Sequence, residues 1–240
     1  MHTPIRAVLF DLDRTLVDLE GATRHGIQAH LGALGLPAGE DEYLRWKEYE
    51  DVYIGRFMAG ELGFQEQRRG RARAMSRRAD FSDAEADLWF NGFYSLMTAA
   101  LTAFADVEPT LDALAGAGMT LGIVTNMFST FQLEKLQRCR IDPGRFACFL
   151  GLEELPAAKP HPDAFLTACS VIGVEPHEAL YVGDEPITDA AAAREAGLRS
   201  IWLDRTDRRS TLPEDVRVRL EGVEICSDLM SIPTSLSAAG

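Results

Sequence analysis

Two aspartates spaced i and i+2, Asp11 and Asp13, stand directly after the apolar run of residues 5–10. With an ordinary pKa of ~3.9 both are expected to be ionised at neutral pH. Two carboxylates crowded together repel each other, so the pair calls for a cation, and Mg²⁺ is the usual partner of hard oxygen ligands beside a phosphate. At a strand's end Asp11 can act as a nucleophile toward phosphorus, giving an aspartyl-phosphate. Asp13 points the same way if the chain stays extended, and can protonate a leaving oxygen and then activate water. Taken singly, a D-x-D pair reads equally well as a turn or a helix cap.

Three further stretches carry compatible groups. Thr125-Asn126 ends the apolar run of residues 120–125. A hydroxyl and an amide there can hold a phosphoryl oxygen, although Thr-Asn also commonly caps a helix. Lys159 lies between Ala157-Ala158 and Pro160. The proline biases the lysine away from α conformation and a helix begins just beyond; the small apolar flanks are atypical of an exposed lysine. Gly183-Asp184-Glu185-Pro186-Ile187-Thr188-Asp189 follows the fourth apolar run. Asp184 leaves that run as Asp11 leaves the first, and Asp189 opens the next helix. One carboxylate of such a pair can meet a metal directly while the other orients it.

The elements that must position these groups are legible as alternating runs. Strand-length apolar runs fall at residues 5–10, 120–125, 146–150, 179–182, 200–203 and 223–225, with helical segments at 110–117, 128–138, 162–172 and 188–196 between them. This alternation predicts an α/β fold, a parallel sheet with helices on both faces, which binds ligands at the carboxyl edge of its strands. Between residues 18 and 104 no β-branched run appears. Ala, Leu, Glu, Arg and Gln dominate, broken by Gly21, Gly35-Leu36-Pro37, Gly60 and Gly63. That predicts about four helices forming a second module. Residues 1–17 with 105–240 are assigned to the α/β core and 18–104 to the insert. The arginine-rich stretch of residues 68–78 reads first as a solvated helix face, alternatively as a cap or dimer surface.

Composition narrows the partners. A net charge of −13 over 240 residues argues against nucleic acid, and any phosphate site must be made positive locally by metal, lysine or helix N-termini. Lysine is scarce, with only Lys47, Lys135 and Lys159. No stretch approaches the ~20 apolar residues of a membrane span, and the N-terminus lacks a signal-peptide pattern. Cys139, Cys148, Cys169 and Cys226 form no C-x-x-C pair, as expected of free thiols in a reducing cytoplasm. A monomer or homodimer is expected, with residues 231–240 frayed.

The ordered set Asp11-x-Asp13-x-Thr15, strand-end Thr125, Lys159 before proline, and Gly183-Asp184 with Asp189 five residues on resembles the haloacid dehalogenase (HAD) superfamily. The resemblance spans residues 5–197. It implies a Rossmann-like parallel-sheet core flanked by helices, and an inserted α-helical cap of the C1 type, toward which residues 57–62 are also similar. It further implies Asp11 as nucleophile and metal ligand, and Asp13 as general acid/base with its backbone carbonyl on Mg²⁺. Thr125 would bind the phosphoryl group, Lys159 would offset its charge and that of Asp11, Asp184 would be a direct metal ligand and Asp189 a supporting one. The substrate would be a small phosphorylated metabolite. Two positions depart from the pattern: Arg14 stands where many members carry glycine, and Glu185 where a small hydroxyl residue is frequent. Arg14 either leaves the loop or meets the substrate's distal end. Insert residues Arg24, His25, His30, Tyr53 and Arg56 are candidates for specificity, with Arg24 and Arg56 proposed to contact an anionic substrate group. The alternatives are a 2-haloacid dehalogenase, which has no use for Asp13, and a low-turnover metal- or phosphate-binding regulator.

Overall fold

Apolar runs too short for helices become the six parallel strands β1 (Ala7–Phe10), β2 (Thr120–Val124), β3 (Cys148–Leu150), β4 (Ala179–Gly183), β5 (Arg199–Leu203) and β6 (Glu224–Cys226), in the order β3-β2-β1-β4-β5-β6. The structure is a computed structural model and describes residues 4–78 and 80–233; of the tail expected to fray, Ile232 is instead buried and its N–H donates to Leu229 O, and residues 234–240 lie outside the described residues. Every side chain of β1, and Ala179–Val182 of β4, is fully buried, as continuous apolar strands covered on both faces must be. Register places Phe10 opposite Ile123 of β2 and Val182 of β4. The residues that follow β1, β2 and β4 therefore leave the sheet along one edge. β1 and β4 flank the point where the strand order reverses, which is where an open α/β sheet forms its binding crevice.

The helices are α1 (Leu19–Ala33), α2 (Glu40–Met58), α3 (Phe64–Ser76), α4 (Asp83–Ala99), α5 (Val107–Gly116), α6 (Ser129–Arg138), α7 (Pro162–Ile172), α8 (Ala192–Glu195) and α9 (Glu214–Arg219). The chain divides into a sheet unit, up to Asp18 and from Thr102 onward, and a helical unit, Leu19–Leu101. In the sheet unit, Phe165 and Ala168 of α7 pack with Leu9, Val124 and Tyr181 in one apolar cluster. The expected helix at 188–196 is shorter and opens differently. Pro186–Ala191 form a π-helical turn before α8, because the Glu185 carbonyl accepts from both Asp189 N–H (3.1 Å) and Ala190 N–H (3.2 Å). The two chain crossings are tied together within the sheet unit. Phe104 N–H donates to Leu16 O and Asp18 N–H to Thr102 O. Arg205 donates to Thr15 O at 3.0 Å and to both oxygens of Asp106 at 2.9 and 3.0 Å.

The helical unit has an aromatic centre, with Trp46 against Phe93 at 4.3 Å and Phe90 edge-on to Phe93 at 5.5 Å. Two expectations are corrected here. His30, read as a substrate candidate or surface side chain, is buried and packs edge-on against Trp89 at 4.6 Å; burial pushes its pKa down. Arg71, within the stretch read as a solvated face, is buried over the rings of Trp46 and Phe90 and paired with Glu50 at 2.7 Å. Arg69 and Arg73 of the same helix are half-buried and bridge to Asp83 and Asp87.

Helices α1 and α4 meet at a glycine. A Cβ on Gly26 would lie 2.6 Å from Met97 Cβ and 2.7 Å from Met97 Cα, so backbone would have to move. Overpacking of that kind costs ~1–3 kcal/mol. Gly55, exposed in α2 with nothing within 4 Å of its added Cβ, carries only the entropic penalty of a helical glycine, ~0.5–1 kcal/mol. Thermal melts are expected to place Gly26→Ala several degrees below the wild type and Gly55→Ala slightly above it.

Candidate active site

Lys159 is the centre of the site. It sits in the loop after β3, buried, and its ammonium has three acceptors: Asp189 Oδ1 at 2.7 Å, Asp11 Oδ1 at 2.8 Å and the Tyr181 hydroxyl at 2.8 Å. Three donors thus meet three acceptors, and no N–H of the ammonium is wasted. Burial alone would push the Lys159 pKa down, but Asp11, Asp189 and Tyr181 raise it well above the ordinary value. Asn126 holds the lysine's backbone: its Nδ2 donates to Lys159 O at 2.7 Å, and its Oδ1 accepts from Lys159 N–H at 2.9 Å. The amide read from sequence as a phosphoryl contact is therefore engaged in seating the lysine. The Lys159–Pro160 peptide is cis.

Around the lysine the carboxylates crowd. Asp11, Asp184 and Asp189 are all buried and offer oxygens within 4.8 Å of one another. Burial raises the Asp11 pKa to about 6; Lys159 pulls it down, and Asp189 and Asp13 push it up. Burial likewise raises Asp184 well above the carboxylate range, against the pull of Arg14. Asp189 is held by Lys159 through one oxygen and by Glu185 N–H (3.0 Å) through the other. Gly183 is what lets this carboxylate approach, since a Cβ there would lie 2.5 Å from Asp189 Cγ. Trp202 Nε1 donates to Asp184 O at 2.9 Å, and Arg208 donates to the same carbonyl. A buried cluster of hard oxygen donors fits a divalent cation such as Mg²⁺; one oxygen of Asp11 is held by Lys159 and one of Asp184 by Arg14, which leaves the second oxygen of each to face it.

Asp13 turns away from the three carboxylates toward α6. Both its oxygens lie 2.6 Å from Lys135 Nζ, and Oδ2 accepts from Gln132 Nε2 at 2.9 Å. Gln132 Nε2 also donates to Thr125 Oγ1 at 2.7 Å. Neither Gln132 nor Lys135 was singled out from sequence. The available signal was the scarcity of lysine, together with an i, i+3 pair on the face of α6 toward the sheet. Arg14 adopts φ +63°, a left-handed conformation that explains why glycine suits this position. Its Nε lies 3.0 Å from Asp184 Oδ2, and its Nη2 pairs with Glu185. The two departures from the expected pattern thus neutralise each other across the sheet edge. Arg24 and Arg56 lie in the helical unit, where Arg24 pairs with Glu40 and Glu20 and Arg56 with Glu61.

Comparison with known proteins identifies the family. The family described as haloacid dehalogenase-like hydrolase matches residues 5–197. Phosphoglycolate phosphatase from Shigella boydii serotype 4 is 33% identical over 210 residues, covering 83% of this chain and 81% of that protein. Among solved structures, the magnesium-bound HAD-hydrolase YfnB from Bacillus subtilis superposes with a TM-score of 0.78 at 19% identity, over 98% of this chain and 100% of its own. L-2-haloacid dehalogenase from Xanthobacter autotrophicus gives 0.73 at 18% identity, over 98% and 100%. At those identities the two structures speak for the fold. Among the described residues no helix is long and apolar enough to cross a membrane.

Two measurements follow from the site. Because Asp11 is raised from 3.8 to about 6, the folded metal-free protein holds this proton more tightly than the unfolded chain. The associated stability is present below pH ~4 and lost as pH rises through about 6. Protons and Mg²⁺ therefore compete. A concentration of Mg²⁺ ~100-fold above its Kd should raise Tm by ~5–10 °C at pH 7.5 and by clearly less at pH 5; an equal rise at both would contradict the assignment. For the ion pair, a double-mutant cycle of Arg14→Gly with Glu185→Ser, read by denaturant unfolding, should give a coupling of ~0.5–1 kcal/mol, modest because both side chains are one-third exposed.

Proposed function

The chain belongs to the haloacid dehalogenase-like hydrolases, and on that premise we propose that it is a Mg²⁺-dependent phosphatase acting on a small-metabolite phosphomonoester through an aspartyl-phosphate on Asp11. The observation that carries the reading is the convergence of Asp11, Lys159, Asp184 and Asp189 at one buried sheet edge. Asp13 distinguishes it from carbon–halogen chemistry, where a second acid has no task.

Asp11, Asp184 and the backbone carbonyl of Asp13 would hold the ion, with Asp189 in support. When bound, Mg²⁺ supplies charge neutralisation to the phosphoryl oxygens and lowers the repulsion a dianionic substrate meets. The remaining work falls to the chain's own groups. A carboxylate oxygen of Asp11 attacks phosphorus in line with the departing ester oxygen, and Asp13, which takes up a proton as the anionic substrate binds beside it, passes that proton to the departing oxygen. Thr125 and Lys159 steady the phosphoryl group and its charge. In the second step Asp13 takes a proton from the water that attacks phosphorus, and Asp11 is freed. Positioning and charge stabilisation are most of what phosphoryl transfer requires. Asn126 acts in this scheme by seating Lys159, and Arg14 by holding Asp184 and Glu185. The helical unit is read as a C1-type cap, and phosphoglycolate, the ester in the names of the relatives, is taken as the first candidate substrate.

The test is phosphate release from a panel of 2-phosphoglycolate, sugar phosphates, nucleoside monophosphates and acyl-sugar phosphates. At least one ester should turn over at ~1–10³ s⁻¹ with Mg²⁺; chelation should abolish the activity and added Mg²⁺ restore it. Asp11→Asn should lose at least ~1,000-fold in kcat, as removal of a nucleophile does. Full turnover by Asp11→Asn, or chloride release from a 2-haloacid that a chelator leaves untouched, would overturn the proposal.

A further inference from the structure

Gln132 is fully buried on α6 and bridges two groups that the phosphatase reading needs. One N–H of its amide donates to Thr125 Oγ1 at 2.7 Å and the other to Asp13 Oδ2 at 2.9 Å. The orientation of the amide is forced: turned over, its carbonyl oxygen would face the Asp13 carboxylate, acceptor against acceptor. A hydroxyl that accepts from one side has its single proton left for another, and among the described residues Thr125 Oγ1 makes no second hydrogen bond. One turn further along α6, Lys135 clamps both oxygens of Asp13 at 2.6 Å.

We propose that Gln132 is a positioning residue that fixes the donor direction of the Thr125 hydroxyl toward the incoming phosphoryl oxygen and, with Lys135, fixes the Asp13 carboxylate beside it. This rests on the phosphatase reading and adds a residue that the sequence motifs do not contain. A stabilising role explains the residue poorly. Gln132 Oε1 is buried with no hydrogen-bond partner among the described residues, and an unsatisfied buried acceptor costs folding free energy that an apolar side chain of the same shape avoids. Retaining glutamine here makes sense when its amide protons serve the reaction.

The experiment compares Gln132→Met and Gln132→Glu with the wild type by kcat, KM, inhibition by orthovanadate as the phosphoryl mimic in the presence of Mg²⁺, and thermal melting. Gln132→Met should keep or raise Tm while losing ~10-fold or more in both kcat and vanadate affinity, in the range seen when an aligned donor is lost or misdirected. Gln132→Glu should lose more, since its carboxylate draws the Thr125 proton to itself and repels Asp13. In a Thr125→Val background, Gln132→Met should lose clearly less vanadate affinity than in the wild type, because the hydroxyl it directs is gone and only its hold on Asp13 remains. Wild-type kcat and vanadate inhibition in Gln132→Met, a loss in step with a fall in Tm, or a loss of full size in the Thr125→Val background would each overturn the inference. Those outcomes leave the phosphatase reading standing, whereas turnover by Asp11→Asn ends that reading whatever Gln132 does.

Discussion

The constraint on which the rest depends is the enforced closeness of carboxylates in a dry place. Asp11, Asp184 and Asp189 are brought within 4.8 Å of one another where water cannot screen them. That arrangement is unfavourable in itself, as the raised affinities of Asp11 and Asp184 for protons record. Among the described residues Lys159 is the cation held fully inside it, and its neighbours keep it there. Asn126 grips its backbone, Tyr181 takes its third proton, and Tyr181 is in turn braced edge-on by Phe165 at 4.9 Å. A buried ion pair of this kind is a costly way to stabilise a fold. It is an effective way to build a site in which an added cation gains more than it would at a surface.

Much of this was legible along the chain, for identifiable reasons. Strands buried on both faces are apolar over most of their length, so β1, β2, β4 and β5 announce themselves, and a polar group that ends such a run has only the ligand edge to occupy. Asp11, Thr125 and Asp184 were visible on that ground. The helix at 162–172 was visible because proline opens it and Gly173, at φ +76°, closes it. The π-helical turn at Pro186–Ala191 was not, because it arises from a tertiary demand: Asp189 must reach back to Lys159, and the chain widens by one residue to let it.

What stayed hidden was mostly charge compensation across long separations. Arg14 and Glu185 look like two independent departures until the sheet edge brings them together. Arg71 looks like one member of a solvated arginine face until Trp46, Phe90 and Glu50 enclose it. Lys135 and Gln132 belong to a helix whose pattern says only which side is buried, and nothing in that pattern distinguishes a buried lysine with an aspartate partner from one bound for solvent. In each case residue type was informative and the missing knowledge was the partner.

The site therefore consists of a core that neutralises acid with Lys159, and a rail on α6 that aims Thr125 and Asp13. The most direct measurement of the whole account is to quench the Mg²⁺-loaded enzyme in acid during turnover and map the covalent phosphoryl group by peptide mass spectrometry. The account predicts an acid-stable, base-labile phosphoryl group on the peptide carrying Asp11, on the Asp11 side chain. A phosphoryl group on any other residue would contradict it, as would turnover in water enriched in heavy oxygen that labels the Asp11 carboxylate instead of the released phosphate.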